Sequence, residues 1–94
     1  MDKFEALGRY VDASERAGTH QMHRHNALGD LYRYVSDVVS GTVNCFAYNF
    51  DVAKAQDLLN RIADLNQKMT EAVDEANSFA EASGKPKLEI RNRS

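Results

Sequence analysis

The sequence predicts an all-α fold, either a three-helix bundle or a helical hairpin with one long C-terminal heptad helix. Two observations favour it. The 94 residues include only one proline and five glycines, and so few helix breakers leave room for long helices. Apolar residues in the second half of the chain recur at spacings that alternate between three and four, which is the period of helices that pack along their length.

The first helix is predicted over residues 3–17. Phe4, Leu7 and Val11 follow one another at helical spacing and would form its buried face. Gly18 is the expected end, because glycine past the last helical residue adopts a left-handed conformation without steric cost. An alternative is that this segment and the next form one bent helix with the bend at Gly18.

The second helix is predicted over residues 20–39, with Thr19 as its N-cap. Its expected apolar face consists of Met22, Leu28, Leu31, Tyr32, Val35, Val38 and Val39. The following residues, 42–50, show both strand-like and helix-like spacing of apolar side chains, so that helix, strand and loop all remain open. We interpret them as a partly helical connector, because an isolated strand has nothing to pair with.

The third helix is predicted over residues 51–82, with Asp51 as N-cap and with Gly84 and Pro86 ending it. Its buried stripe follows a heptad pattern: Ala55, Leu58, Ile62, Leu65, Met69, Ala72, Ala76 and Phe79. Further apolar residues flank one side of that stripe, which favours a bundle over a free two-stranded coiled coil.

Residues 1–84 are predicted to form a single helical domain, and residues 85–94 a basic C-terminal tail. The third helix is acidic and the net charge is −2, so the chain lacks the broad positive field of a duplex-DNA binder. The single cysteine, Cys45, cannot form an internal disulfide, which suits a reducing cytoplasm. No apolar run approaches the roughly 20 residues that span a bilayer, so we expect a soluble protein without a membrane partner.

The stripe from Ala55 to Phe79 would be about 36 Å long at 1.5 Å per residue. A helix over 20–39 is too short to cover it. The remainder of the stripe must meet the first helix, the tail or another copy of the chain, and we favour a homo-oligomer, most simply a dimer.

The function that these features predict first is non-enzymatic: a small helical protein that binds another protein and modulates or inhibits it. Small size and a plain composition fit a protein encoded by a phage or other mobile element. The expected contact residues come from the stripe, from an acidic patch and from an exposed tyrosine: Met69, Val73, Phe79, Glu71, Asp74, Glu75 and Tyr34.

The alternative is a nucleotide or nucleic-acid binding protein that uses two arginine–tyrosine pairs, Arg9 with Tyr10 and Arg33 with Tyr34, together with the basic tail. Guanidinium groups bind phosphate and phenol rings stack on bases. The same residue types are common in protein interfaces.

The three histidines, His20, His23 and His25, are the closest approach to a metal motif. No cysteine stands near them to complete a tetrahedral set, and they do not match the HExxH zinc pattern. We expect no metal, no cofactor and no catalytic residue, and we assign these histidines no role.

Overall fold

Two long antiparallel helices dominate the computed structural model, which describes residues 1–41 and 49–91. Helix α1 spans Lys3–Gly41, α2 spans Val52–Ser78 and the short α3 spans Ala80–Ser83. The molecule is a rod of 65 × 22 × 17 Å. The all-α helical hairpin predicted from the sequence is therefore confirmed.

Helix α1 is continuous where two helices were predicted. Gly18 and Thr19 both lie inside it, and the Thr19 hydroxyl donates to the carbonyl of Glu15 at 3.1 Å instead of capping a new helix. The separate helices over 3–17 and 20–39 were thus wrong. One glycine inside a helix costs only about 1 kcal/mol relative to alanine, which packing against α2 on both sides of Gly18 offsets.

The two helices meet along a continuous heptad seam. On α2 the predicted stripe is confirmed, because all eight of its residues are buried or half-buried. On α1 a row of buried and half-buried residues, spaced alternately four and three apart, runs along the whole helix: Ala6, Tyr10, Ala13, Ala17, His20, Arg24, Ala27, Leu31, Tyr34, Val38 and Gly41. The predicted face of Phe4, Leu7 and Val11 is wrong for two of its three residues, since Phe4 is 85% and Val11 42% exposed, whereas Leu7 is half-buried.

Small side chains dominate the seam at the end of the hairpin where the chain begins. There Ala13, Ala76 and Ala80 are buried together with Tyr10, and such small side chains let two helices approach closely. Because α1 runs the full length of α2, it covers the stripe that was expected to be too long for its neighbour. That reason for self-association is therefore removed.

Both ends of the α2 segment carry the predicted signals. The Asp51 side chain accepts a hydrogen bond from the Lys54 backbone N–H at 3.2 Å. Gly84 ends α3 in the left-handed conformation, with φ 72°. The break between α2 and α3 at Phe79 had no signal in the sequence, and residues 42–48, with Cys45, lie outside the described part of the chain.

The tail after Gly84 folds back along the hairpin. The Tyr10 hydroxyl donates to the Pro86 carbonyl at 2.8 Å. The Asn77 side chain accepts from the Leu88 N–H at 2.7 Å and donates to the Leu88 carbonyl at 3.0 Å. Leu88 packs against the buried residues of both helices, so the tail is a third layer over this end of the molecule.

Close packing at Ala76 gives a test of the seam. We expect Ala76→Leu to lower the free energy of unfolding by about 1–3 kcal/mol, because the added methylenes would have to push the helices apart. Ala53→Leu, on the exposed side of α2, should change it by less than about 0.5 kcal/mol. Chemical denaturation followed by circular dichroism measures both, and equal stabilities for the two variants would contradict the seam.

Candidate interaction surface

Heptad letters describe the two sides of the hairpin once the seam residues are assigned to positions a and d. Ala13 and Ala72 are then at d, and position g falls three residues later on each helix. In an antiparallel pair the g positions of the two helices face each other, and so do the e positions. The observed ion pair between Arg16 and Glu75, both at g, confirms this assignment.

The g side of the hairpin is charged. Arg16 pairs with Asp12 of its own helix as well as with Glu75, and Arg33 pairs with Asp30. The hydrogen bond to Glu75 raises the pKa of the Arg16 guanidinium above its usual value.

The opposite side, formed by positions b and e, contains no Asp, Glu, Lys or Arg over the whole of α1 and α2. We call it the uncharged face. Its b positions are Phe4, Val11, Gly18, His25, Tyr32, Val39, Gln56, Ala63, Thr70 and Asn77. Its e positions are Leu7, Ser14, Gln21, Leu28, Val35, Val52, Leu59, Asn66 and Val73. A helix side that faces only water normally carries charges, and this face carries uncharged polar and apolar side chains instead.

The chain's own tail lies along part of one half of the uncharged face. Leu88 packs on Val73 and its neighbours, and a cavity of about 400 Å³ lies between the hairpin and the tail, bordered by Gly18, Arg24 and Ile90. The b positions Phe4 and Val11 in this half stay 85% and 42% exposed. The f positions beside it are acidic, at Glu15, Asp74 and Glu81.

The other half, near the end where α1 leads into α2, presents its side chains to solvent. Its large exposed apolar residues include Leu28, Tyr32 and Val35 of α1 with Val52 and Leu59 of α2, and we call these five the open patch. Tyr32 is 73% exposed and Val52 is 68% exposed. The sequence placed Tyr32 in the core and Tyr34 outside it, and this was wrong: Tyr34 is the half-buried seam residue.

The seam beneath the open patch is only partly buried. Four of its large residues are only half-buried: Leu31, Leu58, Ile62 and Leu65. They are larger than the alanines that line the seam at the other end. The tail closes the e side of the seam at that other end, and nothing in the described part of the chain closes it here. The core is therefore incomplete on the side of the open patch.

The predicted partner-binding residues fall into two groups. Met69 and Val73 are buried and Phe79 is half-buried, so they could contact a partner only after α1 or the tail moved away. Glu71, Asp74 and Glu75 are exposed, as expected. The acidic patch is nevertheless partly neutralised within the chain, because Glu75 binds Arg16.

The two arginine–tyrosine pairs proposed for nucleotide binding lie about 36 Å apart along α1, since 24 residues separate them. Tyr10 is buried and Arg9 stacks over the Phe79 ring at 5.7 Å. The Tyr34 ring is stacked on Phe50 at 5.6 Å. The structure does not bring these pairs together.

The histidines are spread around α1. His20 lies in the seam at position d and is half-buried, whereas His23 and His25 are exposed. Within residues 1–41 and 49–91, no three His, Cys, Asp or Glu side chains converge in a way that could hold a metal ion. The helices in the same ranges include none with the length and apolar character needed to cross a bilayer.

The open patch was not predicted from the sequence, because the apolar residues of α1 were expected to form one stripe. They form two adjacent stripes, offset by one residue, and the alanine-rich stripe is the one that packs on α2. The signal that separates them is charge: Arg16, Asp30 and Asp37 fall at g, but no charged residue falls at b or e.

No protein-family model, curated protein or solved structure matches this chain.

Arg24 is the one charged residue in the middle of the seam, and replacing it tests how its guanidinium affects the stability of the hairpin. Its Nη1 donates to the Asn66 side chain at 2.7 Å, but its Nε is buried without a partner among the described residues. A buried unsatisfied donor costs about 1–3 kcal/mol. We therefore expect Arg24→Leu to stabilise the hairpin and to raise Tm by about 4–8 °C per kcal/mol gained.

The matched control is Arg33→Leu, which removes an exposed arginine from the same helix and should alter Tm little. Scanning calorimetry of both variants makes the comparison. A clear fall in Tm for Arg24→Leu would mean that the Arg24 guanidinium is fully paired in solution.

The hydrogen bonds between Asn77 and Leu88 test how the tail is held. Asn77→Ala removes both, at about 1 kcal/mol each, so the Leu88 amide should exchange with deuterium about tenfold faster or more. Asn60→Ala, an exposed asparagine of the same helix, should leave that amide unchanged. Unaltered exchange in Asn77→Ala would show that other contacts hold the tail.

Proposed function

We propose that this chain is a non-enzymatic interaction module that binds another protein through the open patch and modulates that protein by occupying its surface. The observation that carries the proposal is the open patch itself: five large apolar side chains from two helices, all at least 41% exposed, on a face without charges. Continuous apolar patches of a few hundred Å² on a soluble domain mark contact sites.

The shape of the open patch supports a helical or flat partner. Leu28 and Val35 are two turns apart on α1, and Val52 and Leu59 are two turns apart on α2. The shallow groove between two antiparallel rows of side chains accepts a third helix by the same ridge-and-groove packing that holds the hairpin together.

The composition of the patch also favours protein over nucleic acid. Phosphate binding needs cations, which supply most of the affinity for nucleic acid, and the open patch has none. The nearest arginine, Arg33, lies at position c and is already paired with Asp30.

A photoreactive residue at the patch tests this proposal. With p-benzoylphenylalanine in place of Tyr32, irradiation in the native cell extract should give a cross-linked protein adduct, because position 32 lies in the open patch. The p-benzoylphenylalanine substitution of Arg33 provides the matched control. Arg33 follows Tyr32 in the chain but lies at position c, outside the open patch. Mass spectrometry of the adducts then identifies what the patch contacts.

Equal labelling at positions 32 and 33, or none at either, would count against the patch as a contact surface. An adduct specific to position 32 with a different protein supports the proposal as a whole, whereas one with another copy of this chain supports only the patch as a contact surface.

A further inference from the structure

We propose that the occupant of the open patch is a second copy of this chain, so that two hairpins pack patch against patch around a two-fold axis and form a four-helix bundle. This inference rests on the proposed function and names the partner of the same surface.

The absence of charge on the open patch favours a contact between two copies of the chain. A two-fold axis brings the same surface of both copies together, so any excess of one charge on that surface would repel its own copy. The b and e positions carry no charge that could do so, and at this end the bordering f positions are uncharged too: Met22, Gly29, Ser36, Ala53, Asn60 and Gln67. A self-contact therefore costs no desolvation of ionised groups.

The tail shows how part of the same face is covered at the other end. There Leu88 packs on Val73, Ala17 and Ala72, although Phe4 stays 85% exposed. No segment of the described residues packs on the open patch in that way. An apolar, uncharged surface complements it, and the open patch of another copy is such a surface.

The incomplete core beneath the open patch also favours a second copy of the chain. Leu31, Leu58 and Ile62 stay half-buried in the single chain. A second pair of helices placed over the groove would bury them from the e side, and the rod would gain a four-helix core at this end.

The size of the contact sets the expected strength. The uncovered half runs along α1 for about 14 residues, or roughly 21 Å, and two packed helices are about 20 Å wide. Each copy would thus contribute a footprint of about 400 Å². The total of about 800 Å² is below that of stable specific interfaces, so we expect a weak, reversible dimer with Kd in the micromolar-to-millimolar range.

Sedimentation equilibrium of the full chain over that concentration range tests the proposal. The wild type should show a monomer–dimer equilibrium. Val35→Glu and Leu59→Glu, one on each helix of the patch, should each raise Kd by about a hundredfold or more, because they place like charges face to face in the contact. Circular dichroism would verify that the variants stay helical.

Asn26→Glu is the matched control: it adds the same charge to α1, at the exposed position c, and should leave Kd unchanged. A fall in dimerisation as large for Asn26→Glu as for Val35→Glu would overturn the assignment of the contact to the open patch.

A chain that stays monomeric at about 1 mM, the weakest affinity expected here, would overturn self-association. The proposed function would then stand or fall separately with the cross-linking result. A position-32 adduct with a different protein would keep the patch as a contact surface while naming another occupant, whereas no adduct would remove both.

Discussion

The antiparallel heptad seam between α1 and α2 determines everything else in this molecule. It consists largely of alanines at the end where the chain begins, with Tyr10 and Met69 as the larger buried residues there. Close packing along the seam keeps α1 continuous through Gly18. It also fixes which sides of the two helices lie next to each other, and so creates one charged side and one uncharged face along the whole rod.

The uncharged face is packed differently at its two ends. At one end the tail lies on part of it, held by the hydrogen bonds of Asn77 and Tyr10 and by the packing of Leu88. At the other end the same face presents Tyr32 and Leu59 to solvent. Apolar side chains beside the seam are thus partly buried within the chain at one end, and we propose that another molecule buries them at the other.

The sequence predicted the α2 half of this arrangement well and the α1 half poorly. In α2 one regular stripe of leucine, isoleucine and methionine stood out, and Asp51 and Gly84 marked its ends. In α1 the buried residues are mostly alanines, while larger side chains such as Phe4 and Tyr32 lie on the adjacent exposed stripe. Hydrophobicity alone therefore selected the wrong face, and only the tertiary contact with α2 decides between two stripes of equal period.

The central claim is that the open patch is a contact surface for another copy of the chain, and methyl NMR on dilution tests it most directly. Spectra from about 1 mM down to about 10 µM span the affinity expected for a contact of this size. The account predicts shift changes confined to the methyl groups of Leu28, Val35, Val52 and Leu59. No changes on dilution, or changes centred on Leu88 beneath the tail, would contradict it.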